Sequence, residues 1–300
     1  MKHVTVLQTE AIEALCLTPH AVVVDATVGS GGHTRAILDI LDKSGILIGI
    51  DADEQALQEV KTFVAGASAR TQFVCRNFRA IDEVLKECSI TTVDAILADL
   101  GWRIEQFDTV EGTEGKGFSF KANESLLMTY GDPAVYPFTA GDMVNEWEEE
   151  SIQNVIKGYG EERFSGRIAR AIVEARTKST IRTARELAEI ISDVVPGFYR
   201  RGPIHPATRT FQALRIAVND ELGALKEFIQ KGVGILGSKG RFAIITFHSI
   251  EDRIVKHAFR ALEKEGKGRV VTKKPIQVSD EERSINPRAR SAKLRIFEAL

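Results

Sequence analysis

The chain has 300 residues, 43% of them hydrophobic, and a formal charge of -2 from 40 Lys and Arg against 42 Asp and Glu. That length can bury a large core, as one big domain or as a domain carrying an insertion. Cys16, Cys75 and Cys88 form no C-x-x-C, so neither a disulfide framework nor a structural zinc site is indicated. No apolar run reaches the length of a signal-peptide core or a membrane span, which predicts a soluble cytoplasmic protein with no membrane contact and no metal.

The N-terminus, through Leu15, reads as an ordinary amphipathic start. The stretch from Ala21 to Asp53 then sets the organisation of the chain. Val22 to Val24 is a β-branched run ending on Asp25; Gly29, Gly31 and Gly32 follow; Ile37, Leu38, Ile40 and Leu41 mark a helix; Ile46 to Ile50 is a second apolar run ending on Asp51. Strand, glycine turn, helix and strand place both carboxylates and the turn at one crevice of a parallel sheet, where ligands bind. Glycine there lets the backbone approach a ligand, and the helix N-terminus offers N–H donors. A dinucleotide fingerprint needs a small residue where Thr34 stands, so that reading is broken. The acids suit S-adenosylmethionine better, with Asp51 taking both ribose hydroxyls and Asp25 holding the turn or meeting an ammonium through water. The plain alternative is a bare turn with solvated acids.

The alternation continues with helices over Glu54 to Ala65 and Ile81 to Cys88 and strands over Gln72 to Cys75 and Val93 to Leu97. The last runs into Asp99, Gly101 and Trp102. Together they predict a parallel, helix-covered sheet. Phe78, just after the third strand, either lies against an adenine or is core. Phe107 to Pro137 lacks periodicity and reads as a long loop. Thr139 to Val195 reads as helical, with apolar stripes at Ile152, Val155 and Ile156 and at Ile168, Ile172 and Ala175, and with Arg163, Arg167 and Arg170 on one face. Helices over Pro206 to Val218 and Glu221 to Val233, a strand over Arg241 to Phe247 and a closing strand over Lys293 to Ala299 complete the sheet pattern. Ser249 and Asp252 have the spacing of a helix N-cap box. These readings place the domain boundaries at 1–106, 107–203 and 204–300.

The small net charge hides two basic blocks. Gly160 to Arg215 holds eleven Lys and Arg against six acids, and Lys267 to Arg295 holds nine against three. Such blocks on an acidic body predict a directed contact with a polyanion, unless local salt bridges consume them.

The strings VDATVGSGGHTRAIL, IGIDAD, NFRAID, ADLG, GKGFSF, GEERFSGRIARAIVEAR, HPATRTFQALRIAVNDEL, TFHSIEDR and NPRARSAKLR span nearly the whole chain. They resemble the RsmH or MraW family, bacterial enzymes that methylate the N4 amine of a cytidine in small-subunit (16S) ribosomal RNA. The resemblance implies a class I S-adenosylmethionine-dependent methyltransferase fold, α/β and Rossmann-like with a mainly parallel sheet, and an inserted all-helical domain. It implies that Gly31, Gly32, His33, Asp51, Phe78, Asp99 and Gln106 line the cofactor site. The partner it implies is ribosomal RNA or the small ribosomal subunit; the oligomeric state stays open, a homodimer included.

The chain departs from the family pattern twice. Trp102-Arg103-Ile104 stands where the family resembles V-S-S, and Ser125 to Tyr130 stands where it resembles P-L-D-M-R-M. A diverged copy that binds cofactor and RNA but transfers methyl poorly, acting in ribosome assembly, is therefore the alternative function. Asp99 is the candidate acceptor for the target amine or, as the resemblance favours, for the cofactor ammonium. Trp102 either stacks on the target base or fills a gap in the core. Arg163, Arg167, Arg200, Arg201, Arg209, Arg288, Arg290 and Lys293 are the candidate phosphate contacts. His205 and His248 have no ligand-spaced partners and are assigned no chemistry.

Overall fold

The structure is a computed structural model and describes residues 5–101, 115–120 and 123–300, the side chains at 287 and 288 excepted. The chain divides into two compact units, Met1–Trp102 with Leu222–Leu300, and Arg103–Glu221.

The first unit is built on one sheet. Its strands are β1 (Val22–Asp25), β2 (Ile46–Asp51), β3 (Arg70–Cys75), β4 (Val93–Asp99), β5 (Leu236–Thr246), β6 (Gly268–Val270), β7 (Ile276–Gln277) and β8 (Lys293–Ala299). The order is β3-β2-β1-β4-β5-β8-β6, with β7 also paired to β8. β1 to β5 run parallel, and β8 returns antiparallel beside β5. The order reverses between β1 and β4, and Asp25 and Asp99 end those two strands. In an open parallel sheet that is the position of the ligand crevice.

Strand residues alternate between two cores, as period-two side chains must. Val24, Ile48, Ile96 and Ile244 face one core with Phe228, Phe259 and Leu85 from the helices Glu221–Ile235, Ser249–Lys264 and Ile81–Glu87. Val23, Leu47, Ala95 and Ile245 face the other, with Leu15 and Ile37 from the helices Gln8–Leu15 and Gly32–Leu38. Covered on both faces, the central strands read as near-continuous apolar runs, which is why the sequence marks them clearly.

The second unit is helical. Its core joins Met143, Ile152, Ile156, Ile168, Ile172, Leu187 and Ile191 with Phe211, Leu214 and Val218. Those last residues lie on the helix Thr208–Asn219, so this unit extends to Glu221 and not to the expected boundary at 203. The sequence reading counted the helix after 203 with the resumed sheet pattern. The apolar face of that helix decides otherwise, because it completes the core around Ile152 and Ile156. The expected boundary at 106 lies outside the described residues.

Two further details differ from the sequence reading. The helix Ser249–Lys264 is capped by His248, whose Nδ1 accepts from the Glu251 N–H while Glu251 caps in return. The box is thus one residue earlier than Ser249 and Asp252, because His248 is extended (φ -138°) and Ser249 is already helical. β6, β7 and the helix Asp280–Ile285 were not expected, being short and polar.

The departure at Ser125–Tyr130 is built into the helical unit's core and network. Leu126 and Met128 are buried. The Asn219 side chain donates to the Met128 carbonyl at 2.7 Å and accepts from the Tyr130 N–H at 3.0 Å. The Tyr130 hydroxyl donates to Glu221, which also holds Arg215 through two contacts of 2.7 and 2.9 Å.

Candidate functional site

The turn after β1 is held from within by Asp25. This carboxylate is 1% exposed. It accepts from the Thr34 hydroxyl at 2.7 Å and from the Thr27 N–H at 3.3 Å. Thr27 in turn accepts from the Asp99 N–H at 2.6 Å, tying the turn to the end of β4. Burial pushes the Asp25 carboxyl above the usual carboxylate range, with the Thr34 bond opposing it. Of the two roles expected for Asp25, the geometry displays the holding of the turn. Thr27 and Thr34 are the residues that sequence reasoning missed. Thr34 counted only as a broken dinucleotide fingerprint, and a hydroxyl nine positions after an acid gives no periodic signal.

The glycines are required by the protein's own packing. Gly31 has φ +78°, and a Cβ there would run into the Phe63 ring and lie 2.8 Å from Val60 Cγ2. A Cβ at Gly32 would overlap the Thr5 hydroxyl. The Gln8 side chain also binds the Gly32 carbonyl, at 2.8 Å. The N-terminal segment therefore packs against the turn that opens the helix Gly32–Leu38.

Asp51 ends β2. Its Oδ2 accepts from the Gly29 N–H at 2.8 Å and its Oδ1 from the Asp53 N–H at 2.9 Å. These bonds fix the carboxylate plane and use one acceptor position on each oxygen, leaving a second on each. Burial pushes this carboxyl up as well, offset in part by the two N–H donors.

His33 and Asp99 face each other across the crevice, with His33 Nε2 3.5 Å from Asp99 Oδ2. Both ring nitrogens of His33 and Asp99 Oδ1 are buried without a hydrogen-bond partner among the described residues. Burial alone would lower the His33 pKa; the Asp99 carboxylate, then Asp25, outweigh it and the net shift is upward. Asp99 Oδ1 and His33 Nδ1, buried and without partners among the described residues, form a site poised for a ligand that brings its own polar atoms. Phe78, in the turn after β3, is half-buried and packs edge-on to Phe228 at 5.0 Å. That contact makes it part of the core, with the residue only partly buried.

Gly31, Gly32, His33, Asp51 and Asp99 are thus gathered at the C-terminal edge of β1, β2 and β4. Trp102 and Gln106 lie outside the described residues. The donor set fits S-adenosylmethionine: Asp51 has two open acceptor positions for a vicinal diol, and Asp99 Oδ1 is an unsatisfied acceptor for a cationic N–H.

The candidate phosphate contacts separate into exposed and engaged groups. Arg163, Arg167, Arg200, Arg201 and Arg290 are exposed. Arg209 donates to the Tyr199 hydroxyl at 3.2 Å. Lys293 is engaged by Asp252 at 3.2 Å, which Arg295 also holds at 2.6 Å. This corrects the sequence reading, because the second basic block spends Lys293, Arg295, Arg269 and Arg283 on neighbouring acids. The Arg288 side chain lies outside the described residues. Among those residues no helix is long and apolar enough to cross a membrane.

The whole chain, residues 1–300, matches the MraW methylase family. A protein of Trichodesmium erythraeum named ribosomal RNA small subunit methyltransferase H is 45% identical over 100% of both chains. Proteins of the same name from Brevibacillus brevis and from a Paenibacillus species are 43% and 40% identical, over 99% and 100% of this chain and 98% and 99% of theirs. A full-length match at this identity, on a sheet whose switch point carries the family's glycine turn and acids, means that the chain belongs to the MraW methylase family and is a methyltransferase.

Proposed function

We propose that the protein uses S-adenosylmethionine to methylate the N4 amine of a cytidine in small-subunit ribosomal RNA. The observation that carries the reading is the unsatisfied, buried Asp99 carboxylate oxygen at the switch point, beside a glycine turn and opposite a diol-competent Asp51. The family match covers residues 1–300 and full-length relatives at 40–45% identity carry a methyltransferase name, which favours a working methylase over a diverged binding copy.

S-adenosylmethionine supplies, when bound, a methyl group on a cationic sulfur. Asp51 holds the ribose hydroxyls with its two open acceptor positions. The Gly31 and Gly32 backbone and His33 line the turn, and Phe78 covers the adenine edge. Asp99 accepts an N–H from the bound reactants. Facing the cofactor ammonium it fixes the cofactor's position; facing the target amine it makes that nitrogen more nucleophilic. Either role turns on orientation, because the amine lone pair is delocalised into the ring and transfer needs a near-attack geometry. Gln106 belongs to the cofactor site and Trp102 stacks on the target base. The exposed Arg163, Arg167, Arg200 and Arg201, with Arg209, Arg288 and Arg290, meet phosphates and position the RNA without reading its sequence. Such an enzyme works in the cytoplasm, on ribosomal RNA or the small subunit.

The test is transfer of labelled methyl to small ribosomal subunits that lack the modification, followed by nucleoside analysis. N4-methylcytidine at one site is the expected product. Cofactor binding with no product, or methyl on another nucleoside, contradicts the reading.

A further inference from the structure

The helical unit presents an aromatic surface that methyl transfer leaves unused. Phe198, in the one-turn helix Gly197–Arg200, is 63% exposed. The Arg163 guanidinium carbon lies 4.7, 5.4 and 4.8 Å from the ring centroids of Phe164, Phe198 and Tyr199. Stacked rings hold this cation in one place, where a solvated arginine would roam. The support underneath is buried. Glu162, 1% exposed, accepts from the Tyr199 hydroxyl and, at 2.8 Å, from the Phe164 N–H. Arg209 binds the same hydroxyl from the other side.

Two further arginines, Arg200 and Arg201, belong to the same turn or directly follow it. The Arg201 guanidinium lies over Gly197, where a Cβ would be 3.3 Å from its Nη1. Arg200 is exposed and makes a loose surface ion pair with Asp193 at 3.9 Å, which a phosphate can displace. A rigid phenyl face rimmed by guanidinium groups is a poor seat for an apolar helix and a good one for a nucleobase between two phosphates. A cleft of about 540 Å³ lined by Phe120, Arg185, Glu189, Asp193 and His205 lies on the same unit, but it offers no exposed phenyl ring and sets two carboxylates against one arginine.

We propose that this patch docks an unpaired nucleotide of single-stranded RNA, the base stacking on Phe198 and the flanking phosphates meeting Arg200 and Arg201. Arg163 is the positioning residue that holds the platform together. The proposal rests on the ribosomal RNA reading for the identity of the strand. Duplex RNA is excluded as the occupant of the ring, because its bases are stacked on each other and cannot reach it.

The experiment uses the full chain and a fluorescein-labelled, mixed-sequence RNA, offered as a single strand and as its duplex, with no cofactor present. Phe198→Ala is expected to bind the single strand about tenfold more weakly and the duplex unchanged, since stacking contributes at that scale. Phe198→Trp is expected to keep single-strand affinity, and its added indole fluorescence should be quenched by the single strand and not by the duplex. Wild-type affinity in Phe198→Ala with an unaltered melting temperature overturns the proposal. So does equal weakening for both RNAs. Should Phe198→Ala fail to fold, the quenching in Phe198→Trp decides alone. None of these readouts needs turnover, so a protein that methylates nothing leaves them intact, and their failure leaves the methyl-transfer reading standing.

Discussion

In the sheet unit the decisive polar groups are inside: Asp25 is 1%, His33 4%, Arg295 5% and Asp252 9% exposed. In the helical unit Arg167, Arg200 and Arg201 are exposed to solvent. Buried groups cannot rearrange cheaply, so their positions are fixed in advance and each must be satisfied by a neighbour or by a ligand. Exposed cations are mobile and screened, and they serve a partner that brings many charges at once. On the proposed reading, charged residues orient in one unit and attract in the other.

Removing one charge from each unit should expose that difference. The largest effect is expected from Asp252→Asn, which leaves Arg295 buried and unpaired; loss of one partner from such a pair costs about 3–5 kcal/mol, read by urea unfolding at neutral pH. The pH dependence has a definite sign. Burial acts to raise the Asp252 pKa, but Arg295 and Lys293 outweigh it and hold it below the usual carboxylate range. A carboxyl with a depressed folded pKa adds stability above its unfolded value and loses it as pH falls through the folded one. The gap between wild type and Asp252→Asn should therefore shrink below about pH 4.

Asp99→Asn keeps the shape of the site and removes its charge. Transfer is expected to fall on the order of a hundredfold, a usual scale for a positioned acid or base. The split between kcat and cofactor affinity shows which N–H the carboxylate accepts. A smaller effect is expected for Thr34→Val, which removes the hydroxyl that satisfies Asp25 Oδ2; about 1–3 kcal/mol of stability should be lost, seen as a lower urea midpoint. The smallest belongs to Arg167→Gln. Stability should stay within about 0.5 kcal/mol of wild type, while the salt dependence of single-stranded RNA binding should lose about 0.7 from its slope for the one phosphate contact removed.

The contrast also explains what could be read from the sequence. The central strands are apolar on both faces and end on acids, so Val22–Asp25, Ile46–Asp51 and Val93–Asp99 stood out. The glycine turn and the acids that end these strands stood out with them. The Asp25–Thr34 bond did not, because a nine-residue separation across a turn has no periodic signature. Nor did the pairing of Lys293 and Arg295 with Asp252, which joins positions 41 and 43 residues apart. A basic block looks the same in sequence whether its charges face solvent or a neighbouring acid; only the fold tells Arg167 from Lys293. The border near 203 failed for a related reason, since local proline and glycine mark a turn but not which core the next helix joins.

The division of labour between the units is tested most directly by measuring two affinities on two variants. Calorimetry with S-adenosylmethionine and anisotropy with single-stranded RNA would be run on Asp51→Asn and on the combined Arg167→Gln, Arg200→Gln, Arg201→Gln protein. Asp51→Asn is expected to bind cofactor at least about tenfold more weakly, as loss of hydrogen bonds to a charged group implies, and RNA as wild type does. The arginine variant is expected to show the reverse. A folded arginine variant that loses cofactor affinity, or an Asp51→Asn protein that loses RNA affinity, would contradict the account.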